Sequence, residues 1–165
     1  MTSTGSDPPQ REGPTAPGTL LLATDLSAAS AAATEVAFDL ASRLGSSLLI
    51  VSVIDLGQLR LPGGRFGSRV DQIRAQQEVA AQELVGRGRQ TGVSVAFLIW
   101  EGDPGESIIE AATAEHVEMI VVGSHGRGGV GRALIGSVSD HVVRHAACPV
   151  LVVRRDVDDP RAAAD

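Results

Sequence analysis

The sequence predicts an α/β domain built on a parallel sheet with helices on both faces. Short apolar runs alternate with stretches of helical periodicity along most of its 165 residues. Those runs are continuously apolar instead of alternating apolar and polar, as strands covered on both faces require. A third feature singles out one connection: six of the 19 glycines fall between Gly123 and Gly136.

The elements follow in order. Residues 1–18 hold four of the eight prolines and almost no large apolar side chains, so they read as a disordered tail. Leu20 to Asp25 is a buried strand ending in polar residues. A helix follows with Ala33, Val36, Ala37, Leu40, Ala41 and Leu44 on one face and Gly45 as its stop. Ser47 to Asp55 is the second buried strand, and the Gly/Pro-rich stretch 57–67 is a loop. A longer helix runs from about Val70 to Arg87, aligning Val70, Ile73, Ala80, Ala81 and Leu84, and Val93 to Trp100 is the third strand. Asp103-Pro104-Gly105-Glu106 opens the next helix, with Asp as N-cap, Pro at the first position and Glu at the third. Glu118 to Gly123 is the fourth strand, Ser137 to Ala146 a helix, and Pro149 to Val153 the fifth strand, where proline is tolerated at the start. The domain thus spans residues 19–155, and 156–165 form an acidic tail.

Composition removes several function classes. The net charge of −6 argues against a general nucleic-acid binder. The two tails carry −1 and −3 of it, leaving −2 for the domain. One cysteine makes neither an internal disulfide nor a cysteine-based zinc site, which points to a reducing, cytoplasmic setting. No run approaches the ~20 apolar residues of a membrane span. All 14 basic residues are arginine. Without lysine there is no Schiff-base chemistry and no phosphate-binding P-loop of the usual kind.

In parallel sheets ligands bind beyond the carboxyl ends of strands, where the strand order reverses. The segment after the fourth strand, G-S-H-G-R-G-G-V-G-R-A-L-I-G-S-V-S, is built for that place. Glycines let the backbone approach a ligand and aim amides inward. Ser137 and Ser139 add hydroxyl donors at the positive end of a helix dipole. Arg127, Arg132 and Arg144 outnumber Asp140, so the region reads as locally positive and suited to phosphate. The plainer alternative is a surface loop followed by an ordinary Ser137–Asp140 capping box.

Two familiar fingerprints nearly match. Gly126-x-Gly128-x-x-Gly131 satisfies the dinucleotide pattern, but it precedes the last helix and strand, leaving no second half for a dinucleotide. Gly131 to Ser137 matches a P-loop without its lysine. Other constellations carry less. His141 and His145 have metal-ligand spacing but lack the glutamate of H-E-x-x-H, so they read as helix-surface or interface residues. His125 suits a phosphate contact or a structural use equally. Cys148 reads as an inert buried thiol, and no G-x-S-x-G nucleophile elbow occurs.

Gly123, two residues, Gly126, nine residues, then Gly136-Ser137 resembles the ATP-binding branch of the universal stress protein family. A-T-D-L-S at Ala23 to Ser27, I-V-S-V-I-D at Ile50 to Asp55 and P-V-L-V-V-R at Pro149 to Arg154 extend the resemblance over about residues 19–155. It implies a single-domain open sheet of five parallel strands in the order 3-2-1-4-5, commonly dimeric. It implies adenine-nucleotide binding, with ATP favoured, Mg2+ accompanying it, and cyclic AMP as the alternative. By resemblance, Ala23, Thr24 and Asp25 lie near the nucleoside, and the backbone of Val53 meets adenine. Val122 and Gly123 take the ribose side; Gly126, Gly136, Ser137, Val138 and Ser139 surround the phosphates, and Arg127 joins them by its charge alone. The extra glycines Gly128, Gly129 and Gly131 depart from the family spacer. Enzymes of the related adenine-nucleotide α-hydrolase group carry a Ser-Gly-Gly loop after the first strand, where this chain has A-T-D-L-S-A-A-S.

The expected function is therefore a stress-response protein that senses or buffers nucleotide, with slow hydrolysis at most. No base is fixed beside Asp25 by the sequence, which favours binding over catalysis. In the implied order Val150 to Val153 forms a sheet edge, and pairing with its own copy gives a two-fold homodimer. The other reading is a dimeric signalling module holding cyclic AMP or no nucleotide.

Overall fold

Leu20, Leu21 and Leu22 are at most 1% exposed, and burying each contributes about 1.5–3 kcal/mol. Only a central strand buries three consecutive side chains, because successive residues point to opposite faces. The computed structural model describes residues 18–59, 66–124 and 135–154 and places this run in the middle of a five-stranded sheet. In chain order the elements are β1 (Thr19–Ala23), α1 (Ala31–Leu44), β2 (Ser47–Asp55), α2 (Phe66–Thr91), β3 (Val95–Gly102), α3 (Pro104–Ala114), β4 (Met119–Gly123), α4 (Ser137–His145) and β5 (Val150–Val153).

All pairings are parallel, in the order β3-β2-β1-β4-β5. The chain builds outward from β1 to β3 and then returns to lay β4 on the other side of β1. The order therefore reverses between β1 and β4, whose ends are aligned by the pairing of Ala23 with both Val51 and Val122. Two apolar layers enclose the sheet. On one face Leu21, Ala23, Val51 and Val122 pack with Ile108 and Ala111 of α3 and Val142 of α4. On the other, Leu20, Leu22, Ile50 and Val121 pack with Ala33, Ala37, Phe38 and Ala41 of α1 and with Leu84 of α2.

Helix ends follow local chemistry. Asp103 accepts the Glu106 amide at 3.0 Å, satisfying one of the unpaired donors of α3. Gly45 terminates α1 at φ 67°, and the next amide, Ser46, returns to the Ala41 carbonyl at 2.9 Å. Gly92 repeats the device at φ 76°, with the Val93 amide on the Gly88 carbonyl at 3.0 Å. That closure corrects the expected start of the third strand: Val93 is the buried residue that seals α2, and β3 begins at Val95 and runs on to Gly102. The helix α2 exceeds its expected span at both ends, taking in Gly67 from the predicted loop. Leu44 is 58% exposed instead of facing the sheet, while Thr34 and Phe38 are buried. The expected tails lie outside the described residues, apart from Gly18.

Candidate functional site

Just past β1 the backbone turns tightly. The Thr24 amide still joins the sheet through the Val51 carbonyl at 3.0 Å. Its hydroxyl donates to Ser30 Oγ at 2.7 Å and accepts the Leu26 amide at 3.0 Å. Leu26 is held at φ 58°, an uncommon conformation for a branched residue that the surrounding bonds enforce. Asp25 Oδ1 accepts the Ser27 amide at 3.0 Å and the Ser27 hydroxyl at 2.6 Å. Thr24 is thus a buried lock on the turn, and Asp25 is the half-buried carboxylate at its rim.

Across the reversal point, β4 ends at Gly123 and α4 begins at Ser137. Ser124 ties the two together: its amide donates to Val153 of β5 at 2.8 Å, and its carbonyl accepts the Gly136 amide at 2.7 Å. A second bond runs from the buried Ser139 hydroxyl to the Gly123 carbonyl at 2.8 Å. These two bonds bracket the base of the glycine-rich connection. Gly136 is the N-cap with no side-chain bond, so the alternative Ser137–Asp140 capping box does not form. The first bond within α4 joins the Asp140 amide to the Gly136 carbonyl at 2.9 Å. The amides of Ser137, Val138 and Ser139 therefore precede the helical ladder and emerge from its positive end.

The predicted residues divide by role. Ala23, Val53, Val122 and Val138 lie on one apolar face of the sheet. Ser137 is exposed, whereas Ser139 turns its hydroxyl inward to hold α4 against β4. The Gly136 amide is engaged by Ser124; of the three residues that follow, Ser137 is exposed, Val138 half-buried and Ser139 only 3% exposed. Gly126 and Arg127 lie outside the described residues, as do His125 and Arg132. Arg144 sits in the last turn of α4 and pairs with Asp140 at 2.8 Å. It therefore complements the negative end of the helix instead of charging the loop.

Sequence reasoning passed over Ser30 and Ser124. Both are small polar residues beside a strand end whose bonds form only once the chain has turned back.

Elsewhere the chemistry is sparse. His141 and His145 stack at 4.3 Å, and His145 Nδ1 lies 2.8 Å from the His141 carbonyl. Among the described residues no three potential metal ligands come together. A cleft of about 190 Å³ opens at the opposite end of the sheet, where Ile109 and His116 face Ala146 and Cys148. Cys148 is only partly buried, which corrects the expected buried thiol, and that partial burial pushes its pKa up. No helix of the described residues is long and apolar enough to cross a membrane.

Comparison with known proteins places this arrangement. A universal stress protein from Mycolicibacterium smegmatis is 39% identical over 137 residues, covering 82% of this chain but 45% of that protein. The chain thus spans about half the length of that relative. A universal stress protein from Thermus aquaticus is 36% identical over 143 residues, covering 82% of this chain and 98% of its own. Among solved structures, the universal stress protein UspA from Lactobacillus plantarum superposes with a TM-score of 0.70 at 26% identity, covering 85% of this chain and all of its own. Two others share the fold. An Arabidopsis thaliana family member with AMP bound has a TM-score of 0.61 at 21% identity, covering 90% of this chain and 100% of that one. A universal stress protein in complex with cAMP has a TM-score of 0.63 at 23% identity, covering 85% and 98%. The model of the universal stress protein family matches residues 18–154, which takes in every element of the sheet and its helices. The chain belongs to the universal stress protein family.

Proposed function

We propose that this chain binds an adenine nucleotide, with ATP favoured, at the carboxyl ends of β1, β2 and β4. It would act as a sensor or buffer of that nucleotide in the cytoplasm. One observation carries the reading: the Ser124–Gly136 and Gly123–Ser139 bonds hold the amides of Ser137, Val138 and Ser139 at the strand-order reversal. First-turn amides at a helix N-terminus suit a phosphate. By family resemblance the strand ends at Ala23, Val122 and the backbone of Val53 border the base and ribose, and Asp25 at the rim would serve a ribose hydroxyl or an accompanying Mg2+. Gly126, by family resemblance, and Arg127, by its charge, complete the phosphate side. The relatives solved with AMP and cAMP support an adenine nucleotide as the ligand class.

Binding fits this rim better than turnover, because Asp25 Oδ1 is already committed to Ser27. Hydrolysis, if it occurs, is slow. The domain comprises residues 19–155, and two copies pair along the edge strand Val150–Val153. A signalling module that holds cyclic AMP is the second reading, favoured by the cAMP-bound relative.

Titration calorimetry of the full chain with ATP, AMP and cAMP tests both. Saturable ATP binding is expected; tight binding of cAMP alone selects the second reading, and no binding of any sinks both. Gly136→Val crowds the approach to the amides and is expected to weaken ATP binding about tenfold.

A further inference from the structure

The sheet has two edges, and their rims differ. In a parallel ladder alternate residues turn their peptide groups to the neighbouring strand. On β5, Ile120 donates to the Pro149 carbonyl at 2.9 Å and Ser124 to Val153 at 2.8 Å. Leu151 and Val153 therefore face β4, and the peptide groups of Val150 and Val152 face outward. On β3, Leu48 donates to Ser94 at 2.8 Å, so Ala96, Leu98 and Trp100 face β2. Val95, Phe97, Ile99 and Glu101 then present theirs outward. The β3 edge is the longer one, and its first six residues, V-A-F-L-I-W, are all apolar. A long apolar edge is a template for a further strand.

The helix α2 lays Arg74 across that rim. Its Nη1 donates to the outward Ile99 carbonyl at 3.4 Å, and its Nη2 is paired with Glu101 Oε1. The guanidinium occupies the place where an incoming strand would set a backbone N–H, and Glu101 anchors it there. Among the described residues no side chain covers β5 in this way, and all four of its residues remain half-exposed.

We propose that the Arg74–Glu101 pair is an edge guard that stops β3 from pairing with a second copy of this chain, which confines self-association to β5. Two open edges on one sheet would let copies add without limit; one open edge closes on itself as a pair. The choice of β5 as the pairing edge rests on the homodimer reading above, whereas the guard on β3 stands on its own geometry.

Sedimentation velocity of the full chain over a range of concentrations tests it, with circular dichroism to confirm folding and hydrogen exchange to locate contacts. Arg74→Ala is expected to raise the average mass at least about twofold over the parent at high concentration, growing with concentration. The outward amides of Val95, Phe97, Ile99 and Glu101 should become protected as it does. Glu101→Ala, which frees the guanidinium without touching α2, should act in the same direction and serves if Arg74→Ala does not fold. Val152→Pro removes one outward amide of β5 without breaking the β4 ladder. Loss of the parent's pair in that variant supports pairing through β5, and its retention overturns that reading alone. Adding Arg74→Ala to Val152→Pro should give pairs and no larger species. Folded Arg74 or Glu101 variants with the parent's mass at every concentration, or growth without protection along β3, would overturn the guard.

Discussion

Gly105 is where the two helices on the site's face touch. A Cβ placed there would lie 2.7 Å from His141 Cδ2 and 2.9 Å from its Cγ. Those atoms sit near the base of the histidine side chain, so rotation about its outer bonds gives little relief. The contact sets how closely α3 approaches α4, the helix whose first turn carries the proposed phosphate amides. Gly105→Ala is therefore expected to destabilise the fold by about 1–3 kcal/mol, the cost of overpacking. Adding His141→Ala should recover most of that loss, because the clash is with the ring and not the backbone. Urea denaturation of the two single variants and the double variant measures the coupling. Additive effects would mean that the helices do not meet at this point. The sequence presents Gly105 only as part of a capping turn; the partner that forbids a side chain lies on another helix.

At the scale of elements, an ionic contact fastens α1 to α2. Arg87 of α2 forks onto Glu35 of α1 at 2.6 and 2.7 Å, with its guanidinium 4.3 Å from the centre of the Phe38 ring. The side-chain hydrogen bond to Arg87 holds the Glu35 carboxyl below its ordinary value, against a smaller opposing effect of desolvation. A lowered carboxylate pKa means the folded state binds its proton more weakly than the unfolded chain. The pair thus contributes fully above the ordinary glutamate range, and the contribution is lost as pH falls through that range and below it. Glu35 is 64% exposed, so the effect is at most about 1 kcal/mol. Comparing urea midpoints at neutral and acid pH, the parent should lose slightly more stability on acidification than Glu35→Gln, and equal losses would remove the pair from the account.

The same scale shows what periodicity makes legible. The bounds of β2, the stop at Gly45 and the Asp103 cap follow from patterns within a few residues, and they stand where the sequence puts them. The start of β3 does not, because an apolar Val93 after a glycine reads alike as a strand residue and as the buried residue that closes a helix. The phase of α1 is similarly local at its centre and lost at its end, where Leu44 passes beyond the sheet that would bury it. For the candidate site, spacing alone marks the glycine–serine boundary. It does not reveal that Ser139 faces inward while Ser137 faces out, since the Gly123 carbonyl that turns Ser139 belongs to a strand.

For the whole molecule, charge and chain direction converge on one end of the sheet. Because every strand is parallel, the carboxyl ends of β1, β4 and β5 share a rim. The bond from Ser124 to Val153 places the end of β5 directly beside the loop bracket. The described chain reaches Arg154 on the same side as the proposed phosphate amides, and residues 156–165 that follow it in sequence carry a net charge of −3. Like charge near an anion site lowers affinity through space, and the effect fades once the separation exceeds the Debye length, about 8 Å at physiological salt. Removing residues 156–165 should therefore raise ATP affinity about two- to fivefold at low ionic strength, and the gain should vanish at high salt. Calorimetry of the full and shortened chains at two salt concentrations measures it. A gain that survives high salt would point to direct occlusion by the segment, and no gain at low salt would mean that its charge does not reach the site. Either outcome separates the two influences on affinity: the amides at the start of α4 would select the anion, and the C-terminal acids would set how strongly it is held.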